Sequence, residues 1–150
     1  MVVRQLQVAD RHAIADLENQ LFDGRFDAEN LRAMIEKSAF YGVVLHGMEA
    51  TMLVRSYCLS YITSDHVEIL ALGTHKKWQG CGFGRMILGH LIEVIEQKRV
   101  KKITLEVAAD NILAKRLYYS AGFAKVGCRK NYYQRGEIRC DAVIMARLGV

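Results

Sequence analysis

Proline is absent from all 150 residues, tryptophan occurs once, and nowhere does an apolar run approach the length of a membrane-spanning helix. The last absence excludes a helical membrane span, for which about 18 or more apolar residues in a row are needed. The first removes the commonest marker of a linker. With no repeat and no low-complexity segment, residues 1–150 read as one domain, and 51% hydrophobic residues suffice for its core. The four cysteines, Cys58, Cys81, Cys128 and Cys140, are too widely spaced for a CxxC pair or a dense disulfide framework, so reduced thiols are expected. The five histidines lack HExxH or paired spacing, so no metal is predicted. Met1 to Arg4, followed by Gln5 and Asp10, shows no apolar run with a small-residue cleavage site. No secretory signal is visible there, and a cytoplasmic protein is expected.

What is present is an excess of positive charge, 21 Lys and Arg against 16 Asp and Glu, or +5. It favours anionic partners, among them nucleic acid or a phosphate-rich cofactor. Basic residues gather at His75–Lys77, at Lys98–Lys102 and at Arg129–Lys130, and solvated loops account for each group as simply.

Along the chain, Val2–Val8 alternates as a strand, and Asp10 is placed to cap a helix carrying Ile14, Leu17 and Leu21. Asp27 caps a second helix with Leu31, Met34 and Ile35 on its inner stripe. Val43–Leu45, Thr51–Tyr61 and His66–Leu72 read as meandering strands. Arg85–Gln97 repeats its apolar residues at helical spacing for about three turns. Lys102–Val107 is the next strand, Asp110 or Asn111 opens a short helix through Leu117 and Tyr118, and Gly122 closes it. Phe123–Tyr132 and Ile138–Arg147 finish the chain. The order βααβββαβαββ predicts an α/β fold with one mixed sheet.

The run Gln79-Gly80-Cys81-Gly82-Phe83-Gly84-Arg85 lies between a strand and the strongest helix. Unsatisfied N–H groups and the helix dipole make such a junction an anion site, and glycines let the backbone come close to phosphate. A P-loop is excluded, because no Lys followed by Ser or Thr stands at the required place. A dinucleotide fingerprint is poorly met, since the third glycine position falls on Arg85 or on Ile87, although Glu106 stands near the distance of a ribose-binding acid. Gln79, Gly82 and Gly84 satisfy a third pattern, Gln-x-x-Gly-x-Gly.

That pattern, between a strand and a long helix, resembles the acetyl-CoA pyrophosphate loop of the GCN5-related N-acetyltransferases (GNAT). The resemblance continues through Thr104-Leu105-Glu106-Val107, Asn111, Leu117-Tyr118 and Gly122-Phe123, and is strongest from about 68 to 145. Arg129-Lys130-Asn131-Tyr132-Tyr133 and Asp141-Ala142-Val143-Ile144-Met145 resemble the end of the RimI-type ribosomal-protein alanine N-acetyltransferases and their N-terminal acetyltransferase relatives. The family implies a mostly antiparallel sheet flanked by helices. It also implies acetyl-CoA as cosubstrate and an amine as acceptor, foremost the N-terminal amino group of a protein such as a ribosomal protein, with no nucleic acid or membrane as partner. Two family features are missing: Lys76 stands where proline often precedes the loop, and Cys140 where a glutamate often precedes the Asp-Ala pair.

Acetyl transfer to an amine asks for a deprotonated nitrogen, a stabilised oxyanion and a proton for the departing thiolate. An α-amino group, with a pKa of roughly 7.7 to 8.0, needs only a base of modest strength. Glu106, at the end of a buried-type strand, is the candidate base, with an ion pair to a nearby Lys or Arg as the competing role. Tyr118 is the candidate acid, with packing against Ala114 and Ala121 as the alternative. Leu72, Gly73 and Thr74 would supply backbone N–H donors to the oxyanion. By the resemblance Gln79, Gly80, Cys81, Gly82, Phe83, Gly84 and Arg85 meet the cofactor phosphates. Asn111 meets the pantetheine arm, though a bare N-cap would need no ligand, and Cys81 is expected to pack rather than to react. The family's tyrosine-bearing hairpin makes Tyr132 and Tyr133 candidates for the acceptor, and the segment Phe22–Phe26 adds Phe26. Two other functions remain open: acetylation of a small-molecule amine, and an acyl-CoA-binding module without catalysis.

Overall fold

A strand, two helices, three strands, a helix, a strand, a helix and two strands follow one another in the computed structural model, which describes residues 1–22, 24–51 and 53–149. The strands are β1 (Val2–Gln5), β2 (Phe40–His46), β3 (Val54–Ile62), β4 (His66–Thr74), β5 (Lys102–Ala108), β6 (Ala124–Arg135) and β7 (Ile138–Leu148). The helices are α1 (Arg11–Phe22), α2 (Ala28–Ile35), α3 (Phe83–Gln97) and α4 (Ile112–Ser120). All strands join one sheet in the order β1-β2-β3-β4-β5-β7-β6, antiparallel throughout except where β4 lies parallel to β5. This is the expected mixed α/β architecture in the expected order. Among the described residues no helix is long and apolar enough to cross a membrane.

The pleat sends alternate residues to opposite faces, and each face carries a core. Val43, Cys58, Ile103, Leu105 and Val107 pack with Ile87, Leu88 and Leu91 of α3, whereas Val44, Tyr57 and Leu59 pack with Ile14 and Leu17 of α1 and Leu31 of α2. In β4 the alternation breaks. Leu59 pairs with Ala71 and Ser60 with Ile69, so Leu70 is an extra residue, a β-bulge. Val67 and Ile69 face α3, and after the bulge Leu70 and Ala71 both turn to the α1 side. A bulge bends its strand, and it is here that β4 leaves β5. Their pairing runs from His66↔Lys102 to Ile69↔Leu105 and stops. Beyond that point the two strands diverge, and the gap between them is where the candidate residues meet.

Four local readings need correction. The first strand ends at Gln5 rather than Val8, and Asp10 caps no α-helix. Its carboxylate accepts the Gln7 N–H at 2.8 Å within a one-turn 3-10 helix, and accepts Arg4 Nη1 and Nη2 at 2.9 and 2.8 Å. Arg4 outbids the cap: a buried carboxylate is held by a guanidinium more firmly than by one more N–H. The strand expected from Thr51 begins at Val54; of its first residues, Met52 lies outside the described ones, as does Asp23 in the Phe22–Phe26 segment. The glycine-loop helix starts at Phe83, two residues earlier than its apolar stripe indicates.

Candidate active site

Caps chosen by residue type place the two helices that border the gap. Gly82 is the N-cap of α3 in the left-handed conformation, φ +83°, and Gly80 is at φ +80°, both open to a glycine at no steric cost. Gly82 brings no capping side chain, the first turn of α3 holds no acid, and so its N–H groups and dipole are left for an anion. Gly84 is needed for space: a Cβ there would stand 3.3 Å from Leu117 Cδ2 and 3.6 Å from Leu72 Cδ2, inside the slot between α3 and α4. Gln79 Nε2 donates to Thr74 O at 3.0 Å and ties the loop to the end of β4. On the other side Asn111 Oδ1 accepts the Ala114 N–H at 3.2 Å and starts α4. Gly122, at φ +90°, ends it as expected.

One cleft results, with two parts. The first is lined by Leu72, Gly73, Thr74, Gln79, Gly80, Gly82, Phe83, Gly84, Arg85 and Asn111, together with Trp78, Leu113, Arg116 and Leu117. The second lies in the gap between β4 and β5 and brings together Leu105–Ala108, Tyr118, Tyr133 and Arg25. Phe22, Leu72, Asn111 and Ala114 line both parts, so the two are continuous. A cradle of glycine N–H groups at a helix start, open to a slot that a Cβ would block, fits a pyrophosphate followed by a slender arm.

Glu106 alternates with Leu105 and Val107, which pack toward α3, and so it projects from the other face of β5. It is not the buried carboxylate that the strand pattern implies: its side chain is 29% exposed, and Oε1 accepts Arg129 Nη1 at 2.8 Å. The ion pair held open as its competing role is therefore present, and the same carboxylate also lines the cleft. Tyr118 is buried, its ring edge-on to Phe123 with centroids 5.7 Å apart. Burial first, and the Cys58 thiol second, push its phenol above the usual range, so it holds its proton. Tyr119 next to it is exposed. Tyr133 is half-buried and likewise pushed upward by burial.

Three candidates stand apart from the cleft lining. Tyr132 is exposed and packs edge-on to Tyr133 at 5.2 Å. Phe26 packs into the α1–α2 core rather than facing the gap. Cys81 is exposed on its glycine turn rather than packed, contrary to expectation, its thiol reaching only the Gln79 carbonyl at 4.0 Å. Its buried counterpart Cys58, pushed by burial up to about 12, is an inert core thiol.

Sequence reasoning missed Arg25. Its guanidinium reaches back to the fully buried Glu18 at 3.4 Å and lies 4.7 Å from the Phe22 ring centre. Glu18 in turn accepts the Tyr57 hydroxyl at 2.7 Å, beneath Gly73. The aromatic residues flanking Arg25 were its only signal. Trp78, the single tryptophan, lies under Arg55 at 4.5 Å and at the cofactor end of the cleft.

Comparison with known proteins agrees with this fold. The family described as Acetyltransferase (GNAT) matches residues 11–123. The chain is 35% identical over 91 residues to the [ribosomal protein bS18]-alanine N-acetyltransferase of Escherichia coli (strain K12), a match covering 61% of this chain and 62% of that relative's length. It superposes on the crystal structure of the ribosomal-protein-S18-alanine N-acetyltransferase from Escherichia coli with a TM-score of 0.90 and 25% identity, over 99% of this chain and 94% of the other. NAA60 of Arabidopsis thaliana, solved in complex with acetyl-CoA, shares the fold alone, with a TM-score of 0.86 and 15% identity over 98% and 97% of the two chains.

Proposed function

Because the chain belongs to the acetyltransferase (GNAT) family, we propose that it is a single-domain N-acetyltransferase that moves the acetyl group of acetyl-CoA directly onto the N-terminal amino group of a protein, foremost a ribosomal protein, in the cytoplasm. One observation carries the reading. Glu106, Tyr118 and Tyr133 converge on a gap that opens, through Leu72, Asn111 and Ala114, into the glycine cradle at the start of α3. Likeness to relatives named for acetylating ribosomal-protein alanine supports the acceptor class.

The cofactor residues would be the N–H groups of 82–85, with Gln79 holding the loop and Arg85 and Arg116 beside it. When bound, acetyl-CoA supplies a thioester, an acyl group activated for attack. The strand edge of β4 past Ile69 has no β5 partner, so alternate N–H groups there are free to polarise a carbonyl oxygen. Glu106 takes the proton of the incoming ammonium, directly or through one water. Tyr118, protonated by virtue of its burial, gives its proton at the leaving side.

The test is mass spectrometry of the protein with acetyl-CoA and a mixture of free-N-terminus peptides, N-blocked lysine peptides and small amines. Acetylation confined to free N-termini is the expected result. A modified small amine would move the activity to that class, and cofactor binding with no transfer would leave only a binding module.

A further inference from the structure

Arg129 stands where the acceptor has to go. Its Nη1 donates to Glu106 Oε1 at 2.8 Å, and among the described residues Oε2 has no hydrogen bond. The reach is unusual, since β7 lies between the two strands. Arg129 pairs with Ala142 and Glu106 with Ile144, so the arginine runs diagonally across β7 on a common face. On β7 that face carries Ala142, fully buried, beside Arg129 and Ile144 beside Glu106. The strand is aimed by a bulge: Asn131 adopts φ +53°, its N–H bonds Asp141 Oδ1 at 2.9 Å, and the pairing resumes at Tyr133↔Cys140. The same guanidinium already lies over the Tyr132 ring, its carbon 4.2 Å from the ring centre, a contact that does not involve the carboxylate.

We infer that Arg129 is a positioning residue that occupies the acceptor's place on Glu106 and yields it to the incoming ammonium while keeping its contact with Tyr132. This rests on the proposed reading that Glu106 receives the acceptor amine. The contact suits an exchange. It is a single hydrogen bond between side chains 52% and 29% exposed, the kind of pair that contributes little and gives way readily. One cation replaces another, so no charge is left unpaired in the cleft. The other charged or titratable groups lining it with Glu106 are Tyr133 of β6, Arg25 from the α1–α2 connection and Tyr118 of α4. Among the described residues none of them hydrogen-bonds the carboxylate in competition with Arg129.

Two measurements on the full chain test it. With CoA bound, which cannot acetylate, the Nε–H resonance of Arg129 should shift on adding a free-N-terminus peptide and stay in place on adding the same peptide N-acetylated. A shift with both peptides, or with neither, overturns the exchange. In steady state, Arg129→Gln should lower the peptide KM about two- to fivefold, the scale of an exposed ion pair. It should leave kcat and the acetyl-CoA KM unchanged, and Arg129→Lys should return the peptide KM toward wild type. A raised peptide KM, or a loss in kcat, would make Arg129 an acceptor ligand or a support for the hairpin and overturn the inference. If no amine is acetylated by the wild-type protein, the proposed activity fails, while the resonance experiment still decides the fate of Arg129.

Discussion

At the scale of single residues, the site separates its proton-handling groups by environment. Glu106 sits on a strand edge within reach of water and of Arg129, while Tyr118 is buried in the α3-side core with a phenol pushed above its usual range. A half-exposed carboxylate can exchange partners and protons, whereas a buried phenol keeps its proton until a base develops against it. Among the described residues the Tyr118 hydroxyl makes no hydrogen bond of its own, so removing it should leave the fold almost untouched. Tyr118→Phe is expected to slow acetyl transfer about a hundredfold or more while the melting temperature and the acetyl-CoA affinity stay near wild type. Rate and thermal shift measured on one preparation check this, and wild-type turnover would end the acid role.

At the scale of elements, the positions of the strands and helices follow from a few anchors. Asn111 and Asp27 cap their helices by accepting the N–H three residues on, and Gly122 closes α4 in the left-handed region that glycine favours. Asp10 does a different task, joining β1 to the turn before α1 through Arg4. Burial alone would push its carboxyl up, but the Arg4 hydrogen bonds and the Gln7 N–H outweigh it and hold the group below the ordinary carboxylate range. A carboxyl lowered in the folded state contributes stability that is complete above its unfolded value of about 3.9 and is lost as pH falls through the folded value. Wild type should therefore lose stability faster than Asp10→Asn as pH drops below about 4, and the two denaturation midpoints should draw together. A constant gap between them down to acid pH would show that the pair contributes nothing that titrates.

At the scale of the whole molecule, the cleft exists because the sheet comes apart in the middle. That event was invisible in the sequence. Leu70 looks like any other apolar strand residue, and only its pairing against Leu59 and Ser60 reveals it as the bulge that turns β4 from β5. Arg129 escaped for the same reason, since it acts on Glu106, which strand pairing brings near across 23 residues, whereas Arg25 lies only seven residues from its partner Glu18 and escaped because no spacing rule singles out that contact. Features decided within a few residues were legible. The glycine loop, the Asp27 and Asn111 caps and the α3 stripe each carry their physical reason in their own spacing, and the element order follows from them. Asp10 shows the limit of such local reading, since a residue type suited to a helix cap was claimed by Arg4 across a turn. Glu106 shows it again, because an alternating apolar strand implies burial but does not say that the open face of the sheet lies beside a guanidinium.

The measurement that bears most directly on the account is a crystal structure of the protein with a conjugate in which CoA is joined through an acetyl link to the N-terminal nitrogen of a peptide. The account predicts the pyrophosphate against the N–H groups at the start of α3 and the arm in the slot beside Gly84. It places the peptide nitrogen between β4 and β5, within direct or one-water reach of Glu106, with Arg129 moved off the carboxylate. A conjugate bound outside that gap, or with its nitrogen remote from both Glu106 and Tyr118, would contradict it.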